Sequence, residues 1–248
     1  MTSDSGTIRV AAVADLHVGP GAPTALAGRL DELERDADVL LIAGDLTMHG
    51  LAEEAAMLAR ELEELSIPAI TILGNHDFHS DEEKKIGDVM EAAGVTVLEG
   101  ETAVLDIQGT TLGVAGIKGF GGGFPDGSAG SEFGEPEMKA FIRHTREAAE
   151  RLQEMLTSLT ADRRIALLHY SPIEETLVGE SFGIFPFLGS YLLEQAVDAG
   201  GADLVLHGHA HAGSEMGRTA GGVPVRNVAQ TVIGRSYRVL CLGPHGVV

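Results

Sequence analysis

The sequence predicts an α/β fold, because short apolar runs alternate with amphipathic helical patterns through its first third. The opening order is strand, helix, strand, helix, strand, and such short steps favour right-handed crossovers and a mainly parallel sheet. After Gly94 the alternation gives way to successive short strands, which indicates a second sheet. Several apolar runs also end directly in Asp, Asn or His. Such residues at the carboxyl ends of strands are candidates for a ligand site.

The first elements follow from the spacing of apolar residues. We expect strands at residues 8–15, 37–45 and 68–74, with helices at 24–37 and 51–65 between them. Thr24 is the expected N-cap of the first helix, because its hydroxyl can accept a hydrogen bond from an unpaired helical N–H. These elements form the predicted parallel sheet with its crossover helices.

The remaining patterns predict a second group of strands with three further helices. In order they predict a helix at 81–93, strands at 95–99, 102–108 and 111–116, a long helix at 135–159, a strand at 164–169, a helix at 189–199 and strands at 202–207, 223–227 and 237–243. We expect 223–227 and 237–243 to complete the second sheet. There is no linker and no solenoid repeat, so the sequence predicts a single domain over residues 1–248, with residues 1–7 flexible.

The charge balance limits the classes of partner. The chain has 17 Lys and Arg against 37 Asp and Glu, a formal net charge of −20, and no basic patch. We therefore expect neither nucleic acid nor an anionic membrane surface as a partner. Residues 1–7 are polar and acidic, so we expect no signal peptide, no membrane span and a cytoplasmic location. Cys241 is the only cysteine and is expected to be an inert, buried thiol.

Polar motifs stand at the ends of five apolar runs. In chain order they are Asp15-Leu16-His17, Gly44-Asp45, Gly74-Asn75-His76-Asp77, the single His169 and Gly208-His209-Ala210-His211. Each motif alone also suits a turn, since Gly, Asn and Asp favour turns for conformational reasons. Five strand ends that all carry Asp, Asn or His have the composition of a metal site. Asp15 and His17 are two residues apart, so in an extended segment both side chains would point to one side.

These motifs resemble those of the calcineurin-like metallophosphoesterases. The family pattern is D-x-H, then G-D, G-N-H-[DE], a single H and G-H-x-H, and the sequence contains every part in that order. Ala210 stands where many members have Thr or Ser, at a position that supplies no side-chain ligand. The resemblance implies one calcineurin-like domain with two mixed β-sheets packed face to face and helices outside, a four-layer α/β/β/α sandwich.

The resemblance also implies a binuclear metal centre. Its ligands would fall into two groups that share the Asp45 carboxylate as a bridge. Asp15, His17 and His211 complete the first group, and Asn75, His169 and His209 complete the second. Manganese, iron or zinc are the expected divalent ions, and ligand chemistry does not choose between them.

Charge and the resemblance together predict the reaction. Two divalent cations held by two carboxylates leave a positive site, which favours an anionic substrate. We expect phosphate ester hydrolysis in one in-line displacement, by attack of a metal-bridging hydroxide. His76 would donate a proton or hydrogen bond to the phosphoryl group, and Asp77 would hold its other ring nitrogen.

A small phosphoester is the expected substrate, with a nucleotide as one candidate and phosphodiesters slightly preferred over monoesters. The compact length and the context Asp45-Leu46-Thr47 and His49-Gly50 support this order. The alternatives are a phosphomonoesterase, including a phosphoprotein phosphatase, and a metal-binding scaffold without catalysis. A nuclease is disfavoured because the chain lacks a basic track.

Three residues outside the ligand set are candidate substrate contacts: His49, His79 and Phe120. Each histidine flanks a metal loop, and a solvated loop residue is the alternative for both. Phe120 lies in the glycine-rich segment 116–134, for which a lid and a surface loop with core-packed Phe residues are equally supported. Segment 179–187 is a second candidate pocket wall. The oligomeric state leaves no signal in the sequence.

Overall fold

The computed structural model describes residues 6–21, 24, 26–125, 132–244 and 246–247. Within them the strands are β1 (Ile8–Val13), β2 (Val39–Ala43), β3 (Ala69–Ile72), β4 (Thr96–Val97), β5 (Glu101–Ile107), β6 (Thr110–Ile117), β7 (Arg163–Leu168), β8 (Leu204–His207), β9 (Met216–Arg218), β10 (Pro224–Asn227), β11 (Arg238–Gly243) and β12 (Gly246–Val247). The α-helices are α1 (Leu30–Asp36), α2 (Ala52–Leu62), α3 (Glu83–Ala92), α4 (Pro136–Ser158), α5 (Phe185–Leu188), α6 (Tyr191–Gly200) and α7 (Gln230–Ile233). Three short 3₁₀ helices cover His76–Phe78, Glu175–Leu177 and Phe182–Ile184.

The strands form two mixed sheets of six strands each. The first has the order β12-β11-β1-β2-β3-β4, and the second has the order β5-β6-β7-β8-β10-β9. Pairing is parallel from β1 to β4 and from β6 through β8 to β10, whereas β12, β11, β5 and β9 pair antiparallel with their neighbours. The central strands are buried along most of their length, as expected for parallel strands covered on both faces.

Three interfaces between the layers hold the core residues. Strand β7 shows the arrangement, because Ile165 and Leu167 join the core between the sheets, while Ala166 and Leu168 face the outer helices α4 and α6. Helices α1, α2 and α3 cover the other sheet with residues such as Leu58. The predicted four-layer α/β/β/α sandwich is confirmed.

Two strand assignments were wrong. The predicted strand at 237–243 belongs to the first sheet, where β11 pairs antiparallel with β1 and Leu242 lies opposite Ile8. The predicted strand at 95–99 shortens to β4 and also joins the first sheet, beside β3. An apolar pattern records that a strand is buried but not which strand lies next to it, so sheet membership could not be inferred.

The first helix is shorter than predicted. It begins at Leu30 with Arg29 at the N-cap, whereas Thr24 donates its hydroxyl to the Glu61 carboxylate. Leu26 is fully buried although its segment is not helical, so its apolar character reflects core contact. Of the segment 1–7 that was expected to be flexible, residues 1–5 lie outside the described residues. Cys241 is partly exposed rather than buried. In the described part of the chain, no helix has the length and apolar character to span a membrane.

Candidate metal centre

Five parallel strands deliver the predicted ligands to one region. Strands β1, β2 and β3 lead to Asp15, Asp45 and Asn75, and strands β7 and β8 lead to His169 and His209. One set of ligand atoms lies within 4.8 Å of one another and comes from Asp15, His17, Asp45 and His211; a second set comes from Asp45, His169 and His209. Asn75 adjoins the second set, because its Oδ1 is 2.9 Å from His169 Nε2. The structure thus brings all seven predicted ligands together, in two groups that share Asp45.

Tight backbone turns place four of these residues. Asp15, His17, Asp45 and His209 have positive φ angles of 59°, 43°, 52° and 68°. The expectation that Asp15 and His17 lie in an extended segment was therefore wrong. Residues other than glycine adopt this left-handed conformation at an energetic cost, and such strain is typical of functional sites. The loops also bind each other, since His17 N donates to Asp45 O at 3.0 Å.

Two glycines allow the loops to approach closely. A Cβ added at Gly74 would lie 2.1 Å from Asp45 Oδ1, and one added at Gly208 would lie 2.5 Å from Asp15 Oδ2. Any larger residue would displace a carboxylate from the site. These glycines explain why the motifs read Gly-Asn-His-Asp and Gly-His-Ala-His.

The distances in the first group suit a shared cation. His211 Nε2 lies 2.9 Å from Asp15 Oδ1 and 3.4 Å from His17 Nε2, and the latter atom lies 3.6 Å from Asp45 Oδ2. Ligands bound to one metal at about 2.0–2.2 Å lie roughly 3.0–3.6 Å from each other. The spacing therefore matches ligands directed at one ion.

In the second group, nitrogen and oxygen atoms that carry a lone pair and no proton face each other. His169 Nδ1 lies 2.8 Å from the Ala43 carbonyl oxygen, which can only accept, so Nδ1 carries the proton of the neutral ring. The lone pair of His169 Nε2 then faces Asn75 Oδ1 at 2.9 Å and Asp45 Oδ1 at 3.4 Å. Two acceptors in such contact repel unless a cation lies between them. His209 Nε2 donates to Phe187 O at 3.1 Å, which leaves His209 Nδ1 for coordination.

Asp45 provides the test of whether cations fit. Its Oδ1 accepts a hydrogen bond from His76 N at 2.8 Å. Its Oδ2 is buried, and none of the described residues donates a hydrogen bond to it. A buried carboxylate oxygen without a donor is unfavourable unless a cation or proton satisfies it. The shared carboxylate, the histidines and the amide oxygen together could hold two divalent ions.

Burial favours the neutral, metal-binding form of two ligand histidines, whereas the hydrogen bond with Asp15 raises the pKa of His211. Burial lowers the pKa of His209 to about 4, and it also lowers the pKa of His17 below the usual range. For Asp15, burial acts to raise the pKa, but the hydrogen bond from His211 and the charges of nearby histidines lower it below its ordinary value. Ionised carboxylates and neutral imidazoles are the forms that coordinate metals.

His76 stands beside the first group without joining either one. Its Nδ1 donates to Met48 O at 2.9 Å, so Nε2 remains for a substrate. Its ring packs edge-on against His17, with centroids 4.4 Å apart, and lies 4.3 Å from the ring of His79. This position suits a group that donates to a bound anion rather than a metal ligand.

The predicted pairing of Asp77 with His76 was wrong. Asp77 is fully buried and accepts hydrogen bonds from Thr47 N at 2.9 Å, Thr47 Oγ1 at 2.6 Å and Gly74 N at 2.8 Å. The 3₁₀ turn His76–Phe78 directs the Asp77 carboxylate inward, away from the imidazole beside it. Asp77 therefore ties the loop after β2 to the loop after β3.

The predicted substrate contacts occupy different positions. His49 is exposed, and its Nδ1 lies 2.7 Å from the buried Glu54 carboxylate, which also accepts from His49 N at 2.8 Å. His79 is exposed next to His76. Phe120 is partly buried, with its ring 5.7 Å from that of Tyr170.

The structure leaves the lid prediction open. Residues 126–131 of segment 116–134 lie outside the described residues. Phe124 is buried, as the surface-loop alternative predicts, whereas Phe133 is half exposed.

Sequence reasoning missed several contributors. Tyr170 lies 4.4 Å from the ring of His209, and its place directly after His169 was the available signal. The carbonyls of Met48 and Phe187 orient His76 and His209, but a backbone group leaves no signature in the residue type.

Comparison with known proteins gives a consistent result. The family model for calcineurin-like phosphoesterases matches residues 8–213. A probable cyclic nucleotide phosphodiesterase of Synechococcus sp. is 38% identical over 84 residues, which cover 30% of this chain and 33% of that protein. The match thus spans about a third of that relative's length.

Solved structures show the same fold at low identity. Phosphopantetheinyl hydrolase from Mycobacterium tuberculosis has a TM-score of 0.65 at 15% identity, over 90% of this chain and 89% of that one. A protein from Thermus thermophilus has a TM-score of 0.56 at 18% identity, over 94% of this chain and 98% of that one. At these identities the likeness concerns the fold.

Proposed function

The chain belongs to the calcineurin-like phosphoesterase family, and we propose that it is a metal-dependent phosphoester hydrolase that cleaves small phosphodiesters at a centre of two divalent metal ions. The observation that carries the proposal is Asp45. Its carboxylate belongs to both ligand groups, and its Oδ2 is buried without a donor among the described residues. Manganese, iron and zinc all suit the ligands.

We assign the ligands as the geometry groups them. Asp15, His17 and His211 would hold one ion, Asn75, His169 and His209 would hold the other, and Asp45 would serve both groups. When bound, the two ions supply a water nucleophile at neutral pH and neutralise charge on the phosphoryl oxygens. Because the ligands come from both sheets, we also propose that residues 1–248 act as one domain.

The residues around the ions complete the reaction in this proposal. His76, as the imidazolium cation, donates the proton on Nε2 to the leaving oxygen, while its Nδ1–H stays hydrogen-bonded to the Met48 carbonyl and the ring becomes neutral. Once His76 Nε2 has given up a proton, it regains one from solvent, because the residue is only partly buried. Asp77 acts through position, by holding the loops that carry Asp45 and His76.

A preference for diesters over monoesters is part of the proposal. The Synechococcus relative is described as a cyclic nucleotide phosphodiesterase, which supports a diester and makes a nucleotide one candidate. The net charge of −20 disfavours long nucleic acids as substrates. A phosphomonoesterase and a non-catalytic metal-binding scaffold are the outcomes that the test must separate.

The test compares bis(p-nitrophenyl) phosphate with p-nitrophenyl phosphate at saturating Mn²⁺, with chelator-treated protein as the control. We expect a higher kcat/KM for the diester and no turnover after chelation. A monoester rate far above the diester rate would overturn the order of preference. Bound metal without turnover of either ester would establish the scaffold instead.

A further inference from the structure

An exposed apolar surface adjoins the candidate metal centre. Val178, Phe182, Ile184 and Phe187 are 62%, 73%, 41% and 61% exposed. We call these four side chains the apolar ridge. The chain has 8 Phe residues, and three of them lie between 182 and 187. Exposed apolar side chains concentrated in this way mark a surface that contacts a ligand or partner.

The ridge is fixed to the metal centre at two points. His209 Nε2 donates to the carbonyl oxygen of Phe187 at 3.1 Å. On the other side, Ala212 N, next to His211, donates to Glu180 Oε1 at 2.7 Å. The segment that carries the ridge therefore contacts the loop after β8, which holds both His209 and His211, and a substrate on the ions would lie next to it.

A series of aromatic rings joins the ridge to the ligand His209. The ring centroid of Phe187 is 6.3 Å from that of Phe141, which is 5.1 Å from that of Phe120. The ring centroid of Phe120 is 5.7 Å from that of Tyr170, and the centroid of Tyr170 is 4.4 Å from that of His209. Phe187, at one end of the ridge, is thus linked to the centre by a series of ring contacts.

Charge identifies the kind of group that this flank accepts. The sequence has no Lys or Arg between Arg164 and Arg218, and the segment around the ridge contains Glu174, Glu175 and Glu180. A second anionic group would find no Lys or Arg on this segment and would meet its carboxylates. An uncharged apolar group would gain by covering the exposed rings.

We propose that the ridge binds an uncharged aromatic ester group of the substrate while the phosphoryl group occupies the metal centre. The proposal rests on the proposed function, because the phosphoryl position comes from the metals. It makes Phe182 and Phe187 specificity-determining residues.

The test keeps the leaving group constant. Methyl p-nitrophenyl phosphate and phenyl p-nitrophenyl phosphate release the same phenol and differ only in the ester group that remains. With the Mn²⁺-loaded protein we expect kcat/KM for the phenyl ester to exceed that for the methyl ester by about tenfold, after correction for their alkaline hydrolysis rates. The double variant Phe182→Ser, Phe187→Ser should bring the corrected ratio close to one, although it keeps the Phe187 carbonyl that binds His209.

Val104→Ser is the matched control. Val104 is 52% exposed and lies on β5, an edge strand of the second sheet and outside the ridge. Replacing Val104 with serine removes a comparable exposed apolar side chain. It should leave the corrected ratio of kcat/KM between the phenyl and methyl esters unchanged. Calorimetric titration with phenylphosphonate and methylphosphonate repeats the comparison as affinities, without turnover.

The outcomes separate the two proposals. Equal affinities and equal corrected rates for both compounds in the wild-type protein would overturn the ridge proposal while leaving phosphoester hydrolysis intact. A double variant that keeps the phenyl preference would overturn it as well. A double variant that changes oligomeric state at an unchanged ratio would assign the ridge to contact between copies. Tighter binding of phenylphosphonate without turnover of any ester would support the ridge and contradict the proposed function.

Discussion

Replacing Gly74 with alanine should disable the metal centre through one added methyl group. The new Cβ would lie 2.1 Å from Asp45 Oδ1 and 2.3 Å from Asp45 N, where ordinary contact begins at 3.4 Å. The backbone nitrogen cannot rotate away, so either the loop after β2 or the loop after β3 must move by about 1 Å. The φ angle of Gly74 is not positive, so the effect is steric rather than conformational.

The size of the effect follows from packing and positioning. Overfilling a packed site typically costs 1–3 kcal/mol, and the double clash places this variant near the upper end, at about 3 kcal/mol. A displacement of about 1 Å at a catalytic centre can lower the rate by about a hundredfold. Urea unfolding of the metal-free proteins measures the loss of stability. Hydrolysis of bis(p-nitrophenyl) phosphate at saturating Mn²⁺ measures the loss of rate.

Gly87→Ala is the control for this variant. Gly87 lies inside α3, and an added Cβ would have no atom within 4 Å. Alanine there should stabilise the protein by about 1 kcal/mol, because glycine is the weaker helix former. A Gly74→Ala protein that matches wild type in stability, Mn²⁺ affinity and turnover would refute the packing argument.

Three further predictions concern single residues and the metals. Asp45→Asn should lose at least one ion and lower kcat by more than about a hundredfold, because even changes at residues that only orient metal ligands reduce metal affinity or activity by 10–100-fold. Metal analysis and kinetics check this. Two bound ions with full activity would contradict it. His76→Ala should keep both ions yet lower kcat by about 10²–10⁴, most for poor leaving groups, and loss of metal would show that its assigned role is wrong. Mn²⁺ at a hundred times its dissociation constant should stabilise the wild type by about 2.7 kcal/mol for each bound ion in calorimetry, whereas an equal gain in Asp45→Asn would place the binding elsewhere.

The convergence of the site could be predicted because each motif follows a parallel strand. Asp15, Asp45 and Asn75 follow neighbouring strands of one sheet, and the carboxyl ends of such strands meet at one edge. The same reasoning identified the two-sheet architecture, since the switch from alternating elements to successive strands is visible in the residue pattern. Both inferences needed only the succession of apolar and polar patterns along the sequence.

The features that escaped prediction depend on contacts between distant segments. Sheet membership of β11 depends on its pairing with β1, more than two hundred residues earlier. The left-handed backbone at Asp15 and Asp45 depends on mutual hydrogen bonds between their loops. Asp77 looked like a partner for His76 because they are adjacent, but the turn that contains them separates their side chains.

The central claim is that two cations share Asp45 and that hydrolysis needs both. Titrating chelator-treated protein with Mn²⁺, with bound metal and diester hydrolysis measured in the same samples, tests it directly. The account predicts two ions per chain at saturation and full activity only as the second ion binds. Turnover by metal-free protein, or full activity with a single ion bound, would contradict it.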